Sequence, residues 1–315
     1  MKKTYKLNFI FILLVLFFIS CSKKKQTKKN DIEEMNLYGK VKSLKSIKYD
    51  VVEKLGEITK GEIYSSLPNN NFYVLFNIEG NKSEKENYKS DLSLIFKIIY
   101  VYDNKGNKIV ENRYKSEGNL SSKITYEYNK EEKIIKINHY KSDSVLFDTK
   151  NYKYDDKGNL IEWNMYDYYF SNKHTSSFYT YDDIGNKIEE NRYKSDGSLY
   201  YKITYNYDDK GNKIEENKYK SDGSLYKKLI YEYDDKGYVI KSDFYGSERV
   251  LISKSISKFD DKENQIEYID YKSDGKLNNK YNYLYKFDRN NNWIKCIGKQ
   301  NNSPIYIIER TIEYY

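Results

Sequence analysis

The stretch Leu199–Leu225 reads LYYKITYNYDDKGNKIEENKYKSDGSL and decides the predicted fold. Tyr201, Ile203 and Tyr205 alternate with polar residues, which is the period-two pattern of a β-strand with unlike faces. The segment Asp208–Asn212 then supplies the residue types of a tight turn. A second strand-like run follows and ends at another turn of Ser, Asp and Gly. The stretch therefore predicts a β-hairpin that leads directly into the next hairpin.

Most of the chain repeats this hairpin. The aromatic residue before the turn recurs at Phe76, Tyr102, Tyr128, Tyr154, Tyr181, Tyr207, Tyr233, Phe259 and Phe287. Its spacing stays between 26 and 28 residues, which is typical of a repeat architecture. The pattern predicts an all-β fold: an elongated, twisted or spiralling antiparallel β-meander of about nine 26-residue two-strand repeats. A fully closed barrel is the alternative. In either arrangement, we expect three repeated positions to line the inner or self-packed face. They are the Leu that opens the first strand (Leu199), the Ile that follows the turn (Ile214) and the paired first-strand tyrosines (Tyr205 and Tyr207).

Five segments follow from the pattern. They are a signal peptide (1–20), a lipidated Cys with a Lys-rich tether (21–35), an atypical N-terminal repeat or cap (36–75), the hairpin repeats (76–291) and C-terminal capping strands (292–315). Both end segments depart from the repeat consensus, and atypical terminal units are expected where the edges of a repeat stack need capping.

The N-terminus has the features of an export signal. Lysines precede the apolar run Phe9–Ile19, which is shorter than the roughly 20 residues of a membrane span. The sequence Phe18-Ile19-Ser20-Cys21 resembles a bacterial lipoprotein signal, in which the cysteine becomes the new N-terminus. We therefore expect lipidation of Cys21 and export to a bacterial membrane, on the outer-membrane, periplasmic or cell-surface side. The membrane is then a partner through the lipid anchor.

Charge and composition exclude some classes of protein. The formal net charge is +8, but eight lysines lie before Asn30, so the rest of the chain is neutral. A neutral array with interspersed signs lacks the electrostatic footprint of a nucleic-acid-binding protein. With 38 Tyr and only 2 Pro, the chain favours strands over disorder. Cys296 has no partner if Cys21 carries lipid, and its place on a strand predicts a buried, unreactive thiol.

The turns resemble the YD repeat of the RHS and teneurin group, whose signature is Tyr-Asp, two variable residues, Gly and a polar residue. The matching stretches are Tyr102–Asn107, Tyr154–Asn159, Tyr181–Asn186 and Tyr207–Asn212. In that group the repeats coil into a β-sheet spiral, sometimes a shell around a toxin. This chain is far shorter than such a shell and ends on repeat-like sequence, so its resemblance is to short bacterial lipoproteins built from the repeats, with no toxin segment.

A second tyrosine column is the candidate binding site. It comprises Tyr114, Tyr140, Tyr166, Tyr193, Tyr219, Tyr245 and Tyr271, each ending a second strand. Tyr219 lies five residues after Ile214, so on an unbulged strand the two side chains point to opposite faces. The column would then form an outward row at roughly 10 Å spacing, suited to stacking on sugar rings or to a protein edge. The alternative is a bulge that turns Tyr219 inward, which makes the row core packing.

Other candidate sites have simpler interpretations. Paired acids such as Asp208-Asp209 suggest calcium, but a four-residue turn offers too few ligands, and Asp is a common turn residue. Glu189-Glu190 resembles a catalytic pair, although neighbours on a strand face opposite ways. His139 and His174 lie in no nucleophile or metal-ligand motif. We therefore expect no catalytic residue, no metal and no cofactor.

These observations predict a non-enzymatic, lipid-anchored bacterial envelope protein whose β-repeat array is a binding or interaction surface. The expected partner is a polysaccharide or an envelope protein, and nucleic acid is not expected. One alternative is a glycan-binding protein that uses the repeated Tyr column. The other is a hydrolase with an unrecognised site, which a deep pocket around His139 or His174 would favour.

Overall fold

The structure is a computed structural model, and it describes residues 29–64, 71–142, 144–169 and 173–315. It contains one short helix and 21 strands, and every described strand pairing is antiparallel. In chain order the elements are α1 (Asp31–Glu34), β1 (Val41–Lys54), β2 (Glu57–Ile63), β3 (Phe72–Phe76), β4 (Lys82–Tyr88), β5 (Leu94–Tyr102), β6 (Lys108–Lys115), β7 (Leu120–Tyr128), β8 (Ile134–Lys141), β9 (Leu146–Tyr154), β10 (Leu160–Asp167), β11 (Lys173–Tyr181), β12 (Lys187–Tyr193), β13 (Leu199–Tyr207), β14 (Lys213–Lys220), β15 (Leu225–Tyr233), β16 (Val239–Tyr245), β17 (Leu251–Phe259), β18 (Gln265–Lys272), β19 (Leu277–Phe287), β20 (Trp293–Gln300) and β21 (Ser303–Tyr314).

The hairpins form where the sequence predicts them. β13 begins at Leu199 and ends at Tyr207, the Leu and aromatic positions of the consensus, and β14 follows after the predicted turn. In that turn the amide of Gly211 donates to the carbonyl of Asp208 at 3.0 Å. Gly211 has a φ of 84°, a left-handed conformation that glycine adopts without a steric penalty. The predicted all-β, antiparallel character is therefore confirmed.

The sheet is closed, and the predicted elongated open meander is wrong. β1 pairs with β3 through residues 43–46 and with β21 through residues 41–49. From β3 to β21 each strand pairs with the next one along the chain, while β2 extends the sheet only beside β1. Twenty of the 21 strands therefore form a closed β-barrel. The segments predicted as terminal caps supply the strands that meet at the closure.

Two bulges in each consensus hairpin explain why the sheet curves. Near the first turn Asn206 pairs with Glu215 and Tyr207 with Lys213, so Ile214 has no partner residue. At the opposite end Tyr219 pairs with Leu225 after a register shift, which leaves Tyr226 as the extra residue. A bulge bends its strand and increases the local twist. Repeated at both ends of successive hairpins, bulges curve a wide sheet toward closure.

The bulge also overturns the expectation that the Ile column lines the packed face. The skipped position is the isoleucine in hairpin after hairpin: Ile109, Ile135, Ile161, Ile188, Ile214, Ile240, Ile266 and Ile294. Ile161, Ile188 and Ile214 are 36%, 37% and 36% exposed. Lys213, the residue before the bulge, is the buried one at 7% exposure.

The main hydrophobic core lies at the closure. Its buried members are Ile32, Leu37, Val41, Leu44, Val74 and Phe76. α1 covers this cluster, and its first turn is held by a capping box between Asn30 and Glu33. The Oη of Tyr315 donates to the carbonyl of Phe76 at 2.7 Å, which joins the C-terminus to β3. Apolar packing therefore stabilises the contact between the two ends of the array.

Candidate binding face

The tyrosines on the first strand of each hairpin (the first-strand tyrosines) stabilise the fold through hydrogen bonds. The Oη of Tyr207 donates to the carbonyl of Lys187 on the preceding strand at 2.7 Å. The same bond to the preceding strand is made by Tyr102, Tyr128, Tyr154, Tyr181, Tyr233 and Tyr285. Burial and nearby carboxylates raise the pKa of Tyr207 to about 12. These hydroxyls satisfy strand carbonyls and are not available to a ligand.

A buried lysine lies on the same side of the sheet as these tyrosines. We call this side the lysine–tyrosine face. The Nζ of Lys213 lies 5.3 Å from the ring centre of Tyr205 and 5.2 Å from that of Tyr231. It also forms a 2.7 Å ion pair with Glu216, and only 8% of the lysine side chain is exposed. Lys108 and Lys187 repeat the arrangement in other hairpins. The charges of these three lysines are thus balanced within the protein.

The second-strand tyrosines lie on the opposite side, which we call the glutamate–tyrosine face. Glu215, Asn217 and Tyr219 alternate along β14 and so share this face. Glu215 forms a 2.7 Å ion pair with Lys228 on β15 and accepts a 2.6 Å hydrogen bond from Asn217. β14 does contain a bulge, but at Ile214, before these residues, so it leaves their alternation intact and does not turn Tyr219 to the other face.

The predicted column differs from the first-strand tyrosines in its hydroxyl groups. Among the described residues, the hydroxyls of Tyr114, Tyr140, Tyr166, Tyr193, Tyr219, Tyr245 and Tyr271 have no protein hydrogen-bond partner. Tyr166 is 38% exposed and stacks on His174 with ring centres 4.6 Å apart, while the other six rings are half-buried. The column thus presents half-covered rings with free polar tips.

Exposed aromatic bulge residues lie opposite this column in the strand register, and they were not among the predicted site residues. Tyr200 and Tyr226 are the extra residues opposite Tyr193 and Tyr219. They are 56% and 53% exposed, respectively. The residue that follows the strand-opening Leu was the available signal, because it is Tyr in two successive repeats. We call the aromatic side chains at this end of β12 to β16 the tyrosine platform.

The platform contains a cleft. Its volume is about 400 Å³, and Tyr219 and Tyr245 lie among its lining residues. Leu225, Lys228 and Ile230 of β15 line it between these tyrosines, together with Glu215, Asn217 and Arg249. Two residues of the predicted column are therefore brought to one cavity, and His139 and His174 are not among its lining residues.

The paired acids of the turns act as turn residues. The Oδ1 of Asp208 accepts hydrogen bonds from the amides of Asn212 at 2.8 Å and Lys210 at 3.0 Å, and Oδ2 accepts from Asn212 Nδ2 at 2.9 Å. Within the described part of the chain, no group of three His, Cys, Asp or Glu side chains is arranged to hold a metal ion. The carboxylate of Asp208 is thus used to fix its own turn.

The paired glutamates and Cys296, which were also considered from the sequence, are either ion-paired or buried. Glu189 pairs with Lys202 and Glu190 with Lys187, so the two neighbouring carboxylates do point to opposite faces. Cys296 is 4% exposed, which confirms its predicted burial, and that burial raises the pKa of its thiol to about 11.

The two histidines each contact a neighbouring strand. His139 Nδ1 lies 2.9 Å from Asp148 Oδ2, and His174 Nε2 lies 3.1 Å from Asn164 Oδ1. Cys21 and the predicted signal peptide lie outside the described residues. In the part of the chain that the structure describes, no helix has the length and apolar character to cross a membrane.

The chain is similar to solved structures, but its sequence matches no known family. No family model and no curated protein matches the chain. A porin-like protein from Bacteroides uniformis is similar over 87% of this chain and 96% of its own, at 12% identity and a TM-score of 0.35. A porin-like protein from Bacteroides vulgatus is similar over 70% and 94%, at 10% identity and a TM-score of 0.30.

The toxin assembly TcdB2-TccC3, without its hypervariable C-terminal region, is also similar. It aligns over 84% of this chain but only 17% of its own, at 13% identity and a TM-score of 0.33. The structures similar to this chain thus include porin-like proteins and a TcdB2-TccC3 assembly. At these TM-scores they carry no argument about its activity.

Proposed function

We propose that the protein is a non-enzymatic, lipid-anchored bacterial envelope protein whose closed β-repeat array is a binding surface. The observation that carries this proposal is the division of tyrosines between the two faces. On the lysine–tyrosine face the tyrosine before the turn, such as Tyr207, bonds a strand carbonyl and Lys213 pairs with Glu216, whereas the glutamate–tyrosine face repeats half-buried rings with free hydroxyls. Half-covered aromatic rings with polar tips are typical of recognition surfaces.

The lipid anchor rests on the sequence around Cys21 and on the resemblance to short YD-repeat lipoproteins. Acyl chains on this cysteine would hold the array at a membrane while the Lys-rich tether spans the distance to α1. Metabolic labelling with a palmitate analogue tests the anchor. The wild-type protein is expected to incorporate the label and Cys21→Ala to lose it, and equal labelling of the two would contradict the anchor.

The name of the porin-like proteins suggests a channel, but the surface chemistry of this sheet favours a different role. A transmembrane barrel needs an apolar outer band. Here Lys213–Glu216 lies on one face of the described sheet and Lys228–Glu215 on the other. Ion pairs repeated on both faces suit a sheet in water that contacts a polar partner.

Among such partners, the observations favour a glycan. Tyr193, Tyr219 and Tyr245 lie on β12, β14 and β16, so each is two strands from the next. This spacing is roughly 10 Å and corresponds to about two linked sugar rings. Asn217 and Glu215 supply hydrogen-bonding groups on the same face. Rings that stack on sugars and side chains that bond their hydroxyls are together what glycan recognition requires.

Retention on a glycan array tests this function. The detergent-solubilised full-length protein is compared with a triple variant in which Tyr193, Tyr219 and Tyr245 are Ala. The matched control replaces Ile188, Ile214 and Ile240, which lie at the opposite end of the same hairpins, with Ala. The tyrosine variant is expected to lose retention and the control to keep it. Unchanged retention in the tyrosine variant, or no retained glycan at all, would overturn the glycan function.

A further inference from the structure

The cleft of the tyrosine platform carries a charge that the other repeats lack. It lies on the glutamate–tyrosine face, where β15 runs between Tyr219 of β14 and Tyr245 of β16. Arg249 lines its end from the turn between β16 and β17. This residue stands at the turn position that Gly197, Gly223 and Gly275 occupy in other hairpins.

The backbone at Arg249 is unfavourable for an arginine. Its φ is 60°, in the left-handed region, and the equivalent glycines have φ values of 79°, 81° and 79°. A side chain in this conformation costs free energy that glycine avoids. Leu92 and Ser144 have φ values of 62° and 63° at the same turn position, so what distinguishes Arg249 is its charge beside the cleft.

The guanidinium group of Arg249 also lacks an ion-pair partner among the described residues. Among the described residues, no carboxylate lies within ion-pair distance of it. The other cation of the cleft, Lys228, is paired with Glu215 at 2.7 Å. One lysine and one glutamate neutralise each other, so the cleft retains one positive charge from Arg249. A ligand that complements this positive charge carries an anionic group.

The remaining lining residues limit the kind of anionic ligand. Tyr219 and Tyr245 contribute rings and free hydroxyls, and Asn217 and Glu215 contribute hydrogen-bonding groups. The volume of about 400 Å³ is at the small end of ordinary ligand clefts, which span about 300–1,000 Å³. The cleft therefore has space for one or two sugar units rather than a folded partner.

We propose that this cleft binds a carboxylate-bearing sugar, a hexuronic acid unit of an acidic polysaccharide. The sugar carboxylate forms a bidentate pair with the guanidinium of Arg249. The sugar ring packs on Tyr219 or Tyr245, and its hydroxyls bond the tyrosine hydroxyls and Asn217. The inference rests on the proposed glycan function and specifies its ligand class at one repeat.

Calorimetric titration of the full-length protein tests it with three probes: a hexuronic acid disaccharide, the same disaccharide with its carboxyl groups reduced to alcohols, and an acidic dipeptide. The uronic acid form is expected to bind about tenfold more tightly or better than the reduced form, since a charged hydrogen-bonded pair is lost. Equal affinity for the two disaccharides would overturn the proposal, as would equally tight binding of the dipeptide.

Variants of Arg249 distinguish a loss of ligand binding from a folding defect. Arg249→Gly removes the guanidinium and places the consensus residue in the left-handed conformation, so its thermal stability is expected to be equal or higher. It should bind both disaccharides alike, and Arg249→Lys should keep only part of the preference. Leu92→Gly is the matched control, because Leu92 occupies the same turn position with a φ of 62°.

The outcome also distinguishes the two proposals from each other. If Arg249→Gly keeps the preference for the uronic acid, the assignment of Arg249 is wrong. If neutral glycans are retained by the tyrosine platform but no preference for the acid exists, the glycan function stands and the inference falls. Loss of all glycan retention overturns both.

Discussion

Tyr207 and Tyr219 are the same residue type on paired strands of one hairpin, yet their surroundings are opposite. Tyr207 donates its hydroxyl to the carbonyl of Lys187, and the neighbouring Tyr205 packs against Lys213. The hydroxyl of Tyr219 bonds no described protein atom and lies at a cleft. The difference shows that the face of the sheet, and not the residue type, determines whether a repeated tyrosine supports the fold or is available to a ligand.

The physical reason is desolvation. A phenol that leaves water must find a hydrogen-bond partner, because an unsatisfied buried hydroxyl costs about 1–3 kcal/mol. On the closely packed lysine–tyrosine face, tyrosines such as Tyr207 and Tyr233 therefore bond strand carbonyls. On the glutamate–tyrosine face the hydroxyls remain accessible, so water satisfies them until a ligand replaces it.

The largest expected effect comes from truncating one ring in each column. Tyr205 is 8% exposed, so Tyr205→Ala is expected to lower the free energy of unfolding by about 3–5 kcal/mol. Tyr219→Ala should cost clearly less, because its ring is only half-covered. Urea unfolding of the two variants measures the difference, and equal losses would contradict the division into two faces.

Replacing one lysine on each face tests the same difference between the two faces, with a somewhat smaller expected loss of stability. Lys213→Ala leaves Glu216 without its cation on the packed face and is expected to cost about 3 kcal/mol. Lys202→Ala removes the partner of Glu189 on the opposite face, where the two side chains are 39% and 28% exposed, and should cost about 0.2–1 kcal/mol. Comparable urea midpoints for the two variants would show that both faces are equally solvated.

Alkaline pH should weaken the lysine–tyrosine face selectively. The pKa of Tyr207 and of Tyr233 is raised to about 12, chiefly by burial, against an ordinary value of 10.0. The folded state therefore holds these protons more tightly, so their contribution is complete below pH 10 and is lost as the pH rises toward 12. Urea midpoints measured across this window should fall, and Tyr207→Phe should reduce the slope. A flat wild-type profile would contradict the raised pKa values.

Local sequence predicts a large part of this molecule. Strand bounds follow from the Leu and aromatic columns, and the turn role of Asp208 follows from its type and position. These features depend on neighbours within a few residues, where alternation and turn chemistry act directly.

Two features escaped prediction because they depend on register and on distant pairing. An isoleucine such as Ile214 is exposed because a bulge removes it from the ladder, and a periodic pattern alone gives no signal of that extra residue. The pairing of β1 with β21 joins the two ends of the chain, and it turns an open array into a closed one. For the candidate site, the sequence indicated Tyr219 and Tyr245, but Arg249 stands out only once its left-handed turn places it at their cleft.

The most direct test removes one hydroxyl from each column and measures stability and glycan retention together. Tyr207→Phe is expected to lower the free energy of unfolding by about 1 kcal/mol and to leave retention unchanged. Tyr219→Phe is expected to change the free energy of unfolding by less than about 0.5 kcal/mol and to weaken retention. If Tyr219→Phe destabilises the protein as much as Tyr207→Phe does and leaves retention intact, the two tyrosine columns have the same structural role, and the binding face proposed for this protein does not exist.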